Sequence, residues 1–133
     1  MTDKIIVSII VPVFNGKQFI KNFLNILTRQ NFNEKCEIIF VDDASTDDCF
    51  EIIKNYKSEN LKLLSLEKNS GPSAARNLGL KNAVGEFVFF IDVDDSIERD
   101  TLTKLYSAAI KNSCDYVCSD FKRIENSINQ REN

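Results

Sequence analysis

Gly85-Glu86-Phe87-Val88-Phe89-Phe90-Ile91-Asp92-Val93-Asp94-Asp95 is the stretch on which the fold turns. Phe87 to Ile91 is apolar without a break, the signature of a strand covered on both faces, and the spacing predicts a strand over Glu86–Asp92 in the centre of a sheet. The strand then runs into three carboxylates within four residues. Such crowding is ordinary before a helix, where Asp caps and turns the chain. It also suits a hard divalent cation, which relieves the like-charge repulsion through oxygen ligands.

The same beat continues in both directions. Upstream, Ser70-Gly71-Pro72 opens a helix through Ala74, Ala75, Leu78 and Ala83, with Gly85 as its stop. Before it lies a strand from Leu61 to Leu66. Ser45 and Asp48 form a capping box for a helix carrying Phe50, Ile53 and Tyr56. Cys36 to Val41 is a second strand, ending at Asp42-Asp43. Lys17 to Gln30 is a helix whose stripe is Phe19, Ile20, Phe23, Leu24 and Leu27. Ile5 to Val11 is the first strand, broken at Asn15-Gly16. Downstream, Asp100 to Lys111 is a helix and Tyr116 to Ser119 a short fifth strand, after which the chain turns polar.

Strand starts near residues 5, 36, 61 and 86 recur at about the length of a βα unit. The expected fold is α/β, a three-layer α/β/α sandwich on a mostly parallel sheet. It forms one domain over residues 1–121, with a polar and frayed tail over 122–133. At 133 residues there is no room for a second ordinary domain.

Composition narrows the chemistry. Histidine is absent, which removes Ser-His and Cys-His dyads and His-ligated zinc, so carboxylates must carry acid–base or metal work. Seventeen Lys and Arg against twenty Asp and Glu give a net charge of -3, with no broad basic field for nucleic acid. Cys36, Cys49, Cys114 and Cys118 contain a single close pair, so four reduced thiols are expected rather than a zinc site. No apolar stretch approaches the roughly 20 residues of a membrane span, and Met1-Thr2-Asp3-Lys4 has no leader character. A cytoplasmic setting is expected.

In a parallel sheet, ligands bind beyond the carboxyl ends of the strands. Those exits carry Pro12-Val13-Phe14-Asn15-Gly16, Asp42-Asp43-Ala44-Ser45, Glu67 to Gly71, and Asp92-Val93-Asp94-Asp95. Either Asp42 or Asp43 can accept hydrogen bonds from a base or ribose, or cap the helix that follows. Arg76 can reach towards phosphate or pair with Asp43 or Asp94, and Lys68 has the same choice. Phe14 can stack on a base or pack at the rim. The Gly71 loop lacks the Gly-Lys-Ser/Thr of a P-loop, and no Gly-x-Gly-x-x-Gly follows the first strand.

Four blocks in this order resemble the amino-terminal half of a family 2 glycosyltransferase with the GT-A fold. They are Ser8 to Asn15, Glu37 to Asp47, Asn69 to Asn77, and Gly85 to Asp95, and the resemblance spans Ile5 to Tyr106. It implies a nucleoside-diphosphate-sugar donor, UDP-linked by preference, and Mn2+ or Mg2+ as cofactor. It places Pro12, Val13, Phe14 and Asn15 beside the nucleotide, Asp42 on the base, and Arg76 on the segment that closes the donor pocket. Asp92-Val93-Asp94-Asp95 matches the metal segment, with Asp94 near the diphosphate and Asp94 or Asp95 holding the ion. Val93 stands where a smaller residue is usual.

The implied reaction is sugar transfer with inversion to a saccharide, lipid-linked or protein acceptor in polysaccharide, lipopolysaccharide or glycoprotein synthesis. The setting it implies is the cytoplasmic face of a membrane, with peripheral association, and a sheet edge left uncovered by the shortened chain can promote a homo-oligomer. The family's carboxyl-terminal part, with its acceptor site and catalytic carboxylate, is expected to be absent, so no base is assigned. The competing expectations are a nucleotide-binding fragment without catalysis, a nucleotidyl- or phosphotransferase, and a structural or oligomerisation remnant.

Overall fold

The computed structural model describes residues 3–124. Four strands and four helices alternate: β1 (Val7–Val13), α1 (Lys17–Thr28), β2 (Cys36–Asp42), α2 (Cys49–Asn55), β3 (Leu61–Ser65), α3 (Pro72–Asn82), β4 (Phe87–Phe90) and α4 (Thr101–Lys111). All strand pairs are parallel, in the order β3-β2-β1-β4.

Both sheet faces are covered, as the unbroken apolar strands require. Val7, Ile9, Val11 and Val13 of β1 face Ile20, Phe23, Leu24 and Leu27 of α1, Ile53 of α2 and Leu102 of α4. Ile10, Ile39 and Val41 face the other way, onto Ala75 and Leu78 of α3. Gly79 lets α3 lie close to the sheet. A Cβ there would sit 2.6 Å from Ile10 Cγ2. The result is the expected three-layer sandwich.

Several local expectations need correction. The strand expected at the sheet centre, β4, pairs only with β1 among the described residues and so stands at an edge. Its aromatic run is shielded by helices rather than by a second strand. Phe87 packs edge-on to Tyr106 of α4, while Phe90 is 46% exposed. The Ser45–Asp48 capping box does not form. Helix α2 begins later, at Cys49, and Ser45 Oγ instead accepts the Asn15 N–H at 3.0 Å. Gly85 does not end α3, which closes at Ala83. Gly85 is needed because a Cβ would meet Ser8 N at 2.6 Å. Tyr116 to Ser119 forms no strand, and Tyr116 is 82% exposed. Residues 125–133 of the expected tail lie outside the described residues.

Candidate functional site

The strand order reverses direction once. The chain steps from β1 out to β2 and β3, then returns through α3 to place β4 on the far side of β1. A crevice opens at such a switch point, beyond the carboxyl ends of the strands that diverge from it. Here it is a cleft of about 370 Å³, a size that suits a small-molecule ligand. The β1 exit supplies Pro12 to Gly16, the β4 exit Asp92, Val93 and Asp94, and the start of α3 Gly71, Pro72 and Arg76. Phe19 of α1, Asp43 and Asn69 complete the wall.

Of the residues expected at a site, Pro12, Val13, Phe14, Asn15, Arg76 and Asp94 all line this cleft. Phe14 is 49% exposed and presents its ring there. Asp42 is not among the lining residues. Both Asp42 and Asp43 are buried, but Asp42 turns away from the cleft: its Oδ2 accepts the Ser45 N–H at 3.2 Å, and its Oδ1 lies 3.5 Å from Cys49 Sγ. Burial pushes the Cys49 thiol up to about 11, so it stays protonated. Asp43 takes the cleft position instead. Its Oδ1 accepts the Ser70 N–H at 2.7 Å and its Oδ2 the Gly71 N–H at 2.8 Å.

Strand alternation explains the difference between the two acids. Phe40 and Cys49 belong to the α1/α2 face, and Asp42 follows Phe40 at a spacing of two. Val41 belongs to the α3 face, so Asp43 emerges beneath the start of α3. The signal was present in the sequence, but using it required knowing which face α3 covers.

Asn15 ties the β1 and β2 exits together. With φ at 50°, it turns its Oδ1 to accept the Thr46 N–H at 2.8 Å, the Thr46 hydroxyl and the Asp47 N–H. Beside it, Lys17 N–H donates to Asp47 Oδ2 at 3.0 Å. These bonds fix the loop that carries Phe14. Gly16 is held by Val93, whose Cγ1 would lie 3.0 Å from a Cβ at that position. The larger residue between the acids therefore packs against the β1 exit.

At the β4 exit, Asp92, Asp94 and Asp95 place a carboxylate oxygen each within 4.8 Å of one another. This is the one cluster of carboxylates or thiols close enough to share an ion among the described residues. The turn is braced from inside. Asp95 N–H donates to Asp92 O at 3.0 Å, and Asp95 Oδ2 accepts the Asp92 N–H at 3.2 Å. Partial desolvation, with the Asp92 and Asp94 carboxylates beside it, holds the Asp95 carboxyl above its ordinary range, although the Asp92 N–H pulls the other way. Crowded oxygen donors of this kind fit a hard divalent cation. Arg76 pairs with neither Asp43 nor Asp94. Its Nη2 donates to Asp92 Oδ1 at 2.9 Å.

A family profile described as glycosyl transferase family 2 matches residues 8–133. The chain belongs to glycosyl transferase family 2. Among curated members of the family, it is 46% identical over 98 residues to the poly(ribitol-phosphate) beta-N-acetylglucosaminyltransferase TarS of Staphylococcus aureus. That match covers 71% of this chain and 17% of TarS. It is 39% identical over 117 residues to the cholesterol galactosyltransferase of Borreliella burgdorferi, over 86% of this chain and 32% of that protein. The crystal structure of TarS 1–349 in complex with UDP superposes with a TM-score of 0.76 at 40% identity, covering 82% of this chain and 33% of that one. The mannosyltransferase PcManGT of Pyrobaculum calidifontis, solved with GDP-Man and Mn2+, gives 0.73 at 29% identity, over 81% and 33%. The family 2 fold here is therefore the GT-A arrangement of its nucleotide-sugar-binding portion, and the chain spans a third or less of each of these relatives.

Proposed function

We propose that this chain is the donor-binding portion of an inverting glycosyltransferase that takes a sugar from a UDP-linked donor to an acceptor hydroxyl. The observation that carries the reading is the cleft at the β1/β4 switch point. It brings Phe14, Asp43 and Arg76 to the same opening as Asp92 and Asp94, with the Asp95 carboxylate beside those two but outside the lining. The likeness to TarS, solved with UDP and with UDP-GlcNAc, supports a uridine nucleotide, and PcManGT supports a divalent cation.

Each lining residue has a part in this reading. The Phe14 ring stacks on the base. Asp43 keeps acceptor lone pairs after taking two backbone N–H groups, and these read a base N–H. Asp43 thus replaces Asp42 in that role. Arg76 meets the diphosphate with the planar fork that suits phosphate oxygens. Asp94 and Asp95 hold Mn2+ or Mg2+. When bound, the ion neutralises charge on the departing nucleoside diphosphate. Acceptor, linkage and general base belong to parts of the reaction for which no described residue beyond Asp94 lines the cleft.

That last observation favours one second reading, donor binding without turnover. No helix among the described residues is long and apolar enough to cross a membrane. The setting we propose is peripheral, on the cytoplasmic face of a membrane, as a membrane-associated assembly or a homo-oligomer, with a saccharide, lipid-linked or protein acceptor.

A panel of nucleotides tests the function. With Mn2+ present, UDP at about 100 times its dissociation constant should stabilise the fold by about 2.7 kcal/mol, read as a rise in Tm, while ADP gives little. UDP release from UDP-GlcNAc then separates an active transferase from a binding portion. A flat response to UDP, GDP and ADP alike would contradict both readings.

A further inference from the structure

We infer that Asp92 is a positioning residue for Arg76, and that Asp94 and Asp95 hold the cation without it. This rests on the reading of the cleft as a nucleoside-diphosphate site. Spacing alone makes the three acids equivalent, but their commitments differ. Asp92 Oδ1 already accepts from Arg76 Nη2 at 2.9 Å, with the two side chains 47% and 35% exposed. A charge-assisted bond in that half-shielded position outweighs a fully exposed surface pair. Asp94, by contrast, has no hydrogen bond or ion pair among the described residues. Asp95 spends one oxygen on the Asp92 N–H and keeps the other.

The charge count agrees. Arg76 neutralises Asp92, and the two charges left on Asp94 and Asp95 match one divalent ion. Were Asp92 also a ligand, a guanidinium and a dication would contend for one carboxylate at close range, where their repulsion is strong. The pair also joins the two walls of the cleft. Arg76 projects from α3 and Asp92 from the β4 exit. A guanidinium has five N–H donors, and this bond uses one. The rest remain for a diphosphate, with the side chain already ordered before the ligand arrives.

The test measures Mn2+ and UDP binding separately, on the intact chain, by calorimetry. R76M/D92N removes the pair at constant net charge. It should bind Mn2+ within about threefold of the unaltered chain, while D94N loses about tenfold or more. For UDP, measured in EDTA, R76M, D92N and the double variant should each weaken binding by about tenfold, with the double no worse than R76M alone. R76K, which keeps the charge and loses the fork, should also weaken UDP and spare Mn2+, and it guards against a misfolded double variant. If R76M/D92N loses Mn2+ as D94N does, or if D92N and R76M add for UDP, Asp92 acts on its own and the inference fails while the site reading stands. If the unaltered chain binds neither probe, both fail.

Discussion

Ser8 Oγ donates to Glu37 Oε1 at 2.6 Å, between neighbouring strands and in full burial, at the opposite end of the sheet from the cleft. The same carboxylate accepts the Val84 N–H at 2.9 Å and pairs with Lys62 at 2.7 Å, while Ser8 Oγ accepts the Gly85 N–H at 2.8 Å. One buried acid thus joins β1, β2 and β3 to the loop that launches β4. Leaving Ser8 or Glu37 unpaired there is costly.

Glu37→Ala should therefore destabilise the fold by about 3 kcal/mol, since it leaves the buried Ser8 hydroxyl and the Val84 N–H without their acceptor. Urea unfolding checks this, with a lowered midpoint and an unchanged slope.

The same group gives a pH dependence. Burial raises the Glu37 carboxyl, but Lys62, Ser8 and the Val84 N–H together outweigh it, and the net shift is downward. A depressed carboxyl stabilises the fold fully above its unfolded value of about 4.3, and that share is lost as pH falls through the lower folded value. Stability measured against pH should fall in that acid range, and Glu37→Gln should flatten the fall.

Asn15→Ala should weaken UDP binding and lower stability by about 1–2 kcal/mol, from three lost hydrogen bonds and a left-handed backbone that Ala tolerates poorly. Asn15→Gly keeps the backbone freedom and loses the bonds. If Gly restores stability but not UDP affinity, the bonds serve to hold Phe14.

Asp43→Asn should cost UDP affinity more than Asp42→Asn does, because only Asp43 lines the cleft. It also turns an amide group onto the Ser70 or Gly71 N–H, for about 1–3 kcal/mol of stability. Parallel calorimetry and melting of the two variants decide this.

Gly79→Ala sets helix propensity against packing. Propensity favours Ala by about 1 kcal/mol. The new Cβ would meet Ile10 Cγ2 at 2.6 Å, and overpacking costs about 1–3 kcal/mol. Packing should win, and the urea midpoint should fall.

The strand-helix beat was legible because parallel strands buried on both faces leave unbroken runs such as Ile9-Ile10-Val11 and Ile38 to Val41. The rim was legible because those runs stop at polar residues. What stayed hidden was set by tertiary partners. Phe87 to Phe90 looks central by composition, yet it owes its shielding to Tyr106 and α3 rather than to strands on both sides. Ser45 looks like a cap, but Asn15 supplies the competing N–H. Gly85 looks like a helix stop, and its real constraint is the Ser8 backbone. Asp42 and Asp43 are chemically identical, and only the position of α3 separates them.

The most direct measurement is calorimetric titration of the folded chain with UDP, once with Mn2+ and once with EDTA. The account predicts saturable binding in both, tighter by about tenfold or more with Mn2+, with the gain abolished by Asp94→Ala. Equal affinity with and without the ion, or no binding at all, would contradict it.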